Sequence, residues 1–124
     1  MDQDYSDYKE IDFNCEKDFN SEIDEILCLT SDILKDWKDR ECSIKKIGGI
    51  ILGNYGENKN FLKIVNTKLT NNLIIQMNDL RSAIMKEACR VISFISENYK
   101  INFEGGALLL FSSSGIFKLI CSVF

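Results

Sequence analysis

The feature that most constrains this chain is an internal repeat at helical spacing. Asp36 and Asp79 stand 43 residues apart, and each opens a similar stretch: DWKDRECSIKKIGGIILGN (36–54) and DLRSAIMKEACRVISFIS (79–96). The apolar frames coincide at a shift of 44, pairing Arg40 with Ile84, Ile44 with Ala88, Ile47 with Val91 and Ile51 with Ile95. Residues recurring at three- and four-residue intervals form one face of a helix. The chain contains no proline, so nothing of that kind interrupts a long helix.

Each repeated unit reads as helix, turn, helix. NSEIDEILCLTSDILK (20–35) carries Ser21 and, three residues on, Asp24, a capping-box arrangement ahead of an apolar run. Ile23, Ile26, Leu27, Ile33 and Leu34 fall mainly on its inner face. The next helix has Asp36 as its N-cap, Asp39 in its first turn and Gly53-Asn54 as its stop. A third helix is expected from about Lys59 to Met77, with Phe61, Leu62, Val65, Leu69, Leu73 and Ile74 or Ile75 inward, and a weak point at Asn71-Asn72. Asn78-Asp79 then breaks the chain and caps a fourth helix, with Ile84, Ala88, Val91, Ile92 and Ile95 inward. A fifth apolar segment runs from about 103 to 120.

The fold class is therefore all-α. A period near 43 in antiparallel helix pairs is that of HEAT and armadillo arrays, and it predicts an α-solenoid of about two and a half repeats. The hairpins are expected at about 21–53 and 59–99, followed by an unpaired helix at about 103–120. A closed four- or five-helix bundle is the alternative on two copies of a repeat.

Charge divides the chain. Residues 1–18 hold seven acids against two lysines, a net −5, whereas residues 19–124 hold twelve acids against thirteen bases, a net +1. The first 18 residues lack sustained periodicity and read as an acidic disordered tail. A net +1 is too small a positive excess for a nucleic-acid surface. Histidine is absent, which removes the commonest general base and metal ligand. The five cysteines (Cys15, Cys28, Cys42, Cys89, Cys121) have no C-x-x-C spacing and read as reduced thiols of a cytosolic protein, with no metal and no cofactor implied. No nucleophile–base arrangement points to an enzyme.

Two glycine and apolar patterns have bland readings. Gly49-x-x-x-Gly53 sits in a short amphipathic segment, where close packing and helix termination fit better than membrane pairing. The last 19 residues, 106–124, contain three consecutive serines, Gly115 and Lys118 and make a poor membrane span. That segment has no partner helix to cover it. Its face of Leu108, Leu109, Phe111, Ile116, Leu119 and Ile120 predicts self-association through residues 106–124.

The turns carry the candidate binding residues. In a stacked array, corresponding turns align along one edge. DWKDR would place Trp37, Lys38 and Arg40 there, and NDLRS would place Leu80 and Arg81, with Lys86 a turn later. Trp37 is the only tryptophan. Spacing leaves two readings open for it: it packs back on the preceding helix, or it anchors an acidic protein partner that the cations steer. Arg40 shares the frame of inward Ile84 and also fits a structural arginine paired with a carboxylate.

At these two turns the sequence resembles the TOG domains of the CLASP family, the microtubule-stabilising proteins. The first stretch has the tryptophan at the turn, the arginine three residues on, and an Ile-Lys-Lys-Ile helix ending in glycine. In the second, Asp79, Leu80, Arg81, Ser82, Lys86, Glu87, Ala88 and Cys89 fit the family's second unit, and Phe61-Leu62 and Phe103 fit around it. The resemblance covers about residues 22–111. It implies a HEAT-like solenoid whose turns contact tubulin, with Trp37, Lys38 and Arg40 matching the first contact turn and Arg81 and Lys86 the second. It also implies a non-enzymatic protein of the cytoplasm and the microtubule cytoskeleton, spindle included, and it favours an exposed Trp37. Such domains have about six hairpins. This chain therefore reads as the N-terminal part of one.

Overall fold

A computed structural model describes residues 8–113 of the chain. The first helix, α1, runs over Glu16–Leu29 and so begins five residues before the expected capping box. Glu16 and Asp18 lie in its first turn, where acids suit the positive end of the helix dipole. Phe19, Ile23 and Ile26 are its buried face. Phe19 explains the early start: its ring stacks on Tyr55 at 4.6 Å and meets Phe13 and Phe61 edge-on at 5.5 and 5.9 Å. That cluster holds down a turn of helix that sequence reading assigned to a tail. Because α1 ends at Leu29, Ile33 and Leu34 lie beyond it and are exposed, contrary to the inner face expected for them.

The second helix, α2, spans Trp37–Leu52 between Asp36 and Gly53, as the spacing predicts, although the Asp36 side chain makes no capping hydrogen bond. Ile44, Ile47 and Ile50 are fully buried, and Ile51 only partly. The buried stripe is wider than one amphipathic face because α2 is covered by α1, by the helix over Ser82–Tyr99 and by the segment from Tyr8 to Asn14.

The long third helix is irregular. It comprises α3 (Lys59–Ile64), a π-helical stretch at Val65–Leu69 and α4 (Thr70–Met77). Asn58 caps it by accepting from the Asn60 and Phe61 N–H groups. The weak point lies in the π-helical stretch and not at Asn71-Asn72. There the Thr70 hydroxyl donates to the Val65 carbonyl, 2.5 Å away. Phe61, Val65, Leu69, Leu73 and Met77 are buried, whereas Ile75 is exposed.

After a short turn, α5 runs over Ser82–Tyr99 with Ile84, Ala88, Val91, Ile92 and Ile95 all buried, as expected. A 3-10 turn at Lys100–Phe103 leads into α6, Glu104–Ser113. The π-helical stretch positions α6. Asn66 donates to the Asn102 carbonyl and accepts from the Gly106 N–H, both at 2.8 Å. The buried anchor of α6 is Leu110, while Leu108 and Phe111 face solvent. Ile116, Leu119 and Ile120 lie outside the described residues.

The described residues are helical and contain no strand. α2 packs on α5 and on α1, and α4 packs on α5 and on α6. Asn72 and Gln76 of α4 reach the end of α1 and the turn after it. The consecutive helices α1 and α2, and likewise α4 and α5, pack against one another, an arrangement consistent with a helical repeat or a closed bundle.

The segment from Tyr8 to Asn14 departs from the expected disordered tail. It lies along α2 as an extended strap. Tyr8 is buried, the Ile11 N–H donates to the Gly49 carbonyl at 3.0 Å, and Phe13 joins the aromatic cluster. The Gly49-x-x-x-Gly53 pattern is the floor for this strap. A Cβ on Gly48 would lie 2.6 Å from the Tyr8 ring, one on Gly49 2.3 Å from the Lys9 carbonyl oxygen, and one on Gly53 1.8 Å from the Ile11 carbonyl oxygen. Residues 1–7 lie outside the described residues. No helix among the described residues is long and apolar enough to cross a membrane.

Candidate functional site

Two turns of the same construction form one edge. In the first, between α1 and α2, the Asp32 carboxylate accepts from the Leu34 N–H at 2.9 Å. In the second, between α4 and α5, the Asp79 carboxylate accepts from the Arg81 N–H at 2.7 Å. Each is an Asx-turn, in which a side chain closes a local loop. Asp79 is therefore the counterpart of Asp32 and not of Asp36, and the residue at the N-cap of α5 is Arg81.

A buried polar network fixes the two turns to each other. Arg40 donates through Nε to the Lys35 carbonyl at 2.9 Å and through Nη1 to Gln76 Oε1 at 2.7 Å, and it pairs with the Asp79 carboxylate. Gln76 donates in turn to the carbonyls of Thr30 and Asp32 at 2.9 and 2.8 Å. Asn72 donates to the Leu27 carbonyl and to the Thr30 hydroxyl. Partial burial works to raise the Asp79 pKa. The Arg81 N–H, the Arg40 guanidinium and the Arg81 charge outweigh it and hold the carboxyl below its ordinary value. Arg40 thus corrects one expectation: it is buried and spent on the protein itself, so it belongs to the support of the edge and not to its contact surface.

The other candidates are at or near the surface. Trp37 is partly buried against the core, which lies between the two readings left open for it. Its ring is covered by the Arg81 guanidinium 4.7 Å from the ring centroid, and Lys38 Nζ lies 5.8 Å away. Trp37 and Arg81, from consecutive hairpins, therefore share one side of the molecule. Lys38 and Lys86 are exposed. The same two turns carry two leucines in open solvent, Leu34 at 88% and Leu80 at 101% relative exposure. Leu34 escaped the sequence reading because its spacing continues the α1 stripe. The signal that finds it is the Asp32-x-Leu34 Asx pattern, which ends the helix first. Acids alternate with the cations, since Asp32, Asp36 and Asp39 lie in the first turn and the start of α2. Lys35 pairs with Asp32 at 3.4 Å. The two turns thus combine exposed leucines with interspersed charges, a surface that can grip a protein through apolar contact and select it by charge.

Comparison with known proteins relates this chain to short stretches of much longer ones. It is 33% identical over 98 residues to an uncharacterised protein of Dictyostelium discoideum, spanning 79% of this chain and 12% of the relative. It is 26% identical over 103 residues to CLIP-associating protein 1-A of Xenopus laevis, spanning 83% of this chain and 7% of that protein. To the CLIP-associating protein of Drosophila melanogaster it is 27% identical over 85 residues, 68% of this chain and 6% of the relative. No family model matches the chain. It spans 6–12% of the length of these relatives, and what it resembles is a region of the CLIP-associating, or CLASP, proteins.

Proposed function

We propose that this chain is a non-enzymatic, TOG-like helical segment of CLASP type that binds tubulin or microtubules through the edge of its two hairpin turns. The reading rests on the stack of Arg81 on Trp37, which joins consecutive turns into one surface. Leu34 and Leu80 give that surface apolar anchors, and Lys38, Arg81 and Lys86 give it charge to steer an acidic partner. Arg40, Gln76 and Asp79 hold the geometry from beneath. The similarity to CLIP-associating proteins supports the choice of tubulin as partner, and with it a place in the cytoplasm on the microtubule cytoskeleton.

Co-sedimentation with microtubules and gel filtration with free tubulin test the proposal. Binding should weaken with added salt, because the steering charges are exposed. Arg81→Glu should lower affinity at least about tenfold, as the loss of a central anchor does. Helical circular dichroism should stay unchanged in that variant. If wild type and Arg81→Glu co-sediment equally at low salt, the edge is not the contact surface. If neither binds tubulin in either form, the partner is another protein and the fold serves as a generic helical-repeat scaffold.

A further inference from the structure

The strap is held in a manner that goes beyond covering apolar surface. Asn54, just past the end of α2, reads the main chain of Phe13 with both ends of its amide: Oδ1 accepts from the Phe13 N–H at 2.9 Å, and Nδ2 donates to the Phe13 carbonyl at 2.8 Å. An Asn side chain offers this acceptor and donor pair, which matches the N–H and C=O of one residue in an extended chain. The Asn54 N–H in turn donates to the Asp12 carboxylate at 2.8 Å. One strand-like hydrogen bond joins Ile11 to Gly49. At the far end, the Tyr8 hydroxyl donates to Glu87 of α5 at 2.9 Å, and its ring lies against Phe94 and under the Arg90 guanidinium. The floor is Gly48, Gly49 and Gly53, three positions where any side chain would strike the strap. Main-chain hydrogen bonds for affinity and side-chain pockets for selectivity are how receptors hold extended peptides.

We propose that this groove between α2 and α5 is a binding site for an extended peptide with aromatic and aliphatic anchors around an Asp, which the chain's own strap fills in cis. The ligand carries an aromatic residue, an aliphatic one three positions later, then Asp and a second aromatic, the pattern of Tyr8, Ile11, Asp12 and Phe13. The strap is the built-in competitor. A covalently attached segment faces its groove at millimolar-range effective concentration, so a free peptide wins only when it binds better or when the strap is loosened. The strap's partners, Gly48 to Asn54 of α2 and its end and Glu87, Arg90 and Phe94 of α5, do not include Trp37, Lys38 or Arg81 of the turn edge, and the inference does not depend on what that edge binds.

The probe is a fluorescein-labelled peptide of residues 6–14, followed by anisotropy against the full chain. Wild type should bind it weakly. A full chain with Tyr8→Ala and Ile11→Ala should bind it at least about tenfold more tightly, because the competitor is weakened. Adding Gly49→Val to that chain should abolish binding, and a peptide carrying the same two alanines should not bind. A strap-weakened chain that keeps its helical circular dichroism and binds no peptide overturns the proposal. If that variant does not fold, hydrogen exchange of the unmodified chain decides. The Ile11 and Phe13 amides should exchange at least about 100-fold faster than the slowest amides of α5, as a segment that opens locally does. Equal protection would mean that the groove is vacated only on global unfolding, and the proposal fails.

Discussion

The Arg81 guanidinium lies 4.7 Å from the centre of the Trp37 ring, across the gap between two successive hairpin turns. Trp37 opens α2 and Arg81 caps α5, so the contact depends on how the hairpins stack and not on local sequence. It converts two separate turns into one surface.

Since Trp37 is the only tryptophan, its fluorescence reports on that contact directly. Arg81→Ala should uncover one face of the ring, shift its emission to the red and raise its quenching by acrylamide. A surface cation–π pair contributes about 0.5–1 kcal/mol, so Arg81→Ala should lower stability by no more than that. Trp37→Ala should cost more, about 1–3 kcal/mol, because part of the ring packs on the core. A double-mutant cycle by urea denaturation separates the pair from the packing. Zero coupling energy would show that the stack contributes nothing to stability in solution.

Arg40 and Asp79 make the edge sensitive to acid. The Asp79 pKa is lowered in the folded protein. Its contribution to stability is therefore fully present above the ordinary Asp value of about 3.9, and it is lost as the pH falls through the lowered folded value. Urea midpoints measured from pH 7 to pH 2 should fall less steeply for Asp79→Asn than for wild type. Identical acid limbs would mean that the carboxyl titrates normally. Arg40→Met leaves Gln76 and Asp79 without their shared partner and should cost about 3 kcal/mol at neutral pH.

How much of this was legible in the sequence depends on the range of the interaction. The apolar face of α5 and both ends of α2 were readable, because helix periodicity and termination are local. The start of α1 was not. Phe19 is held by Tyr55 and Phe61, some forty residues away, and Cys15 at the N-cap position makes no side-chain capping bond to announce it. The strap was hidden for the same reason. Its seven residues look like an acidic tail until Gly48, Gly49 and Gly53 are seen as their floor. The edge was half readable. Spacing put Trp37 and Arg81 on one side, but whether Arg40 pointed inward depended on Gln76 and Asp79, which only the stacked hairpins bring to it.

The glycine floor makes a specific prediction about coupling between the strap and α2. A Cβ at position 48 would meet the Tyr8 ring at 2.6 Å, too close for either group to stay in place. Gly48→Ala should therefore destabilise by about 1–3 kcal/mol, the range for overpacking, despite the better helix propensity of alanine. In a Tyr8→Ala background the same substitution should be neutral or stabilising, because the obstacle has gone. Thermal denaturation of the four chains tests this. Equal effects of Gly48→Ala in both backgrounds would mean that Tyr8 does not occupy the groove in solution.

The final prediction concerns α6, whose two sides differ in role. Leu110 is 3% exposed and anchors the helix, whereas Leu108 and Phe111 are 62% and 61% exposed. Leu110→Ala removes buried methyl groups and should cost about 2–5 kcal/mol, with some loss of helix content. Leu108→Ser and Phe111→Ser remove apolar area that is already in water, so their effect on folding should be within about 0.5 kcal/mol. Exposed apolar area of this kind promotes association instead. If the chain self-associates through residues 106–124, the double serine variant should shift it toward monomer in light scattering, and Leu110→Ala should not. Association that is unchanged by the two serines would place the contact elsewhere, and the next surface to test would be Leu34 and Leu80 at the turns.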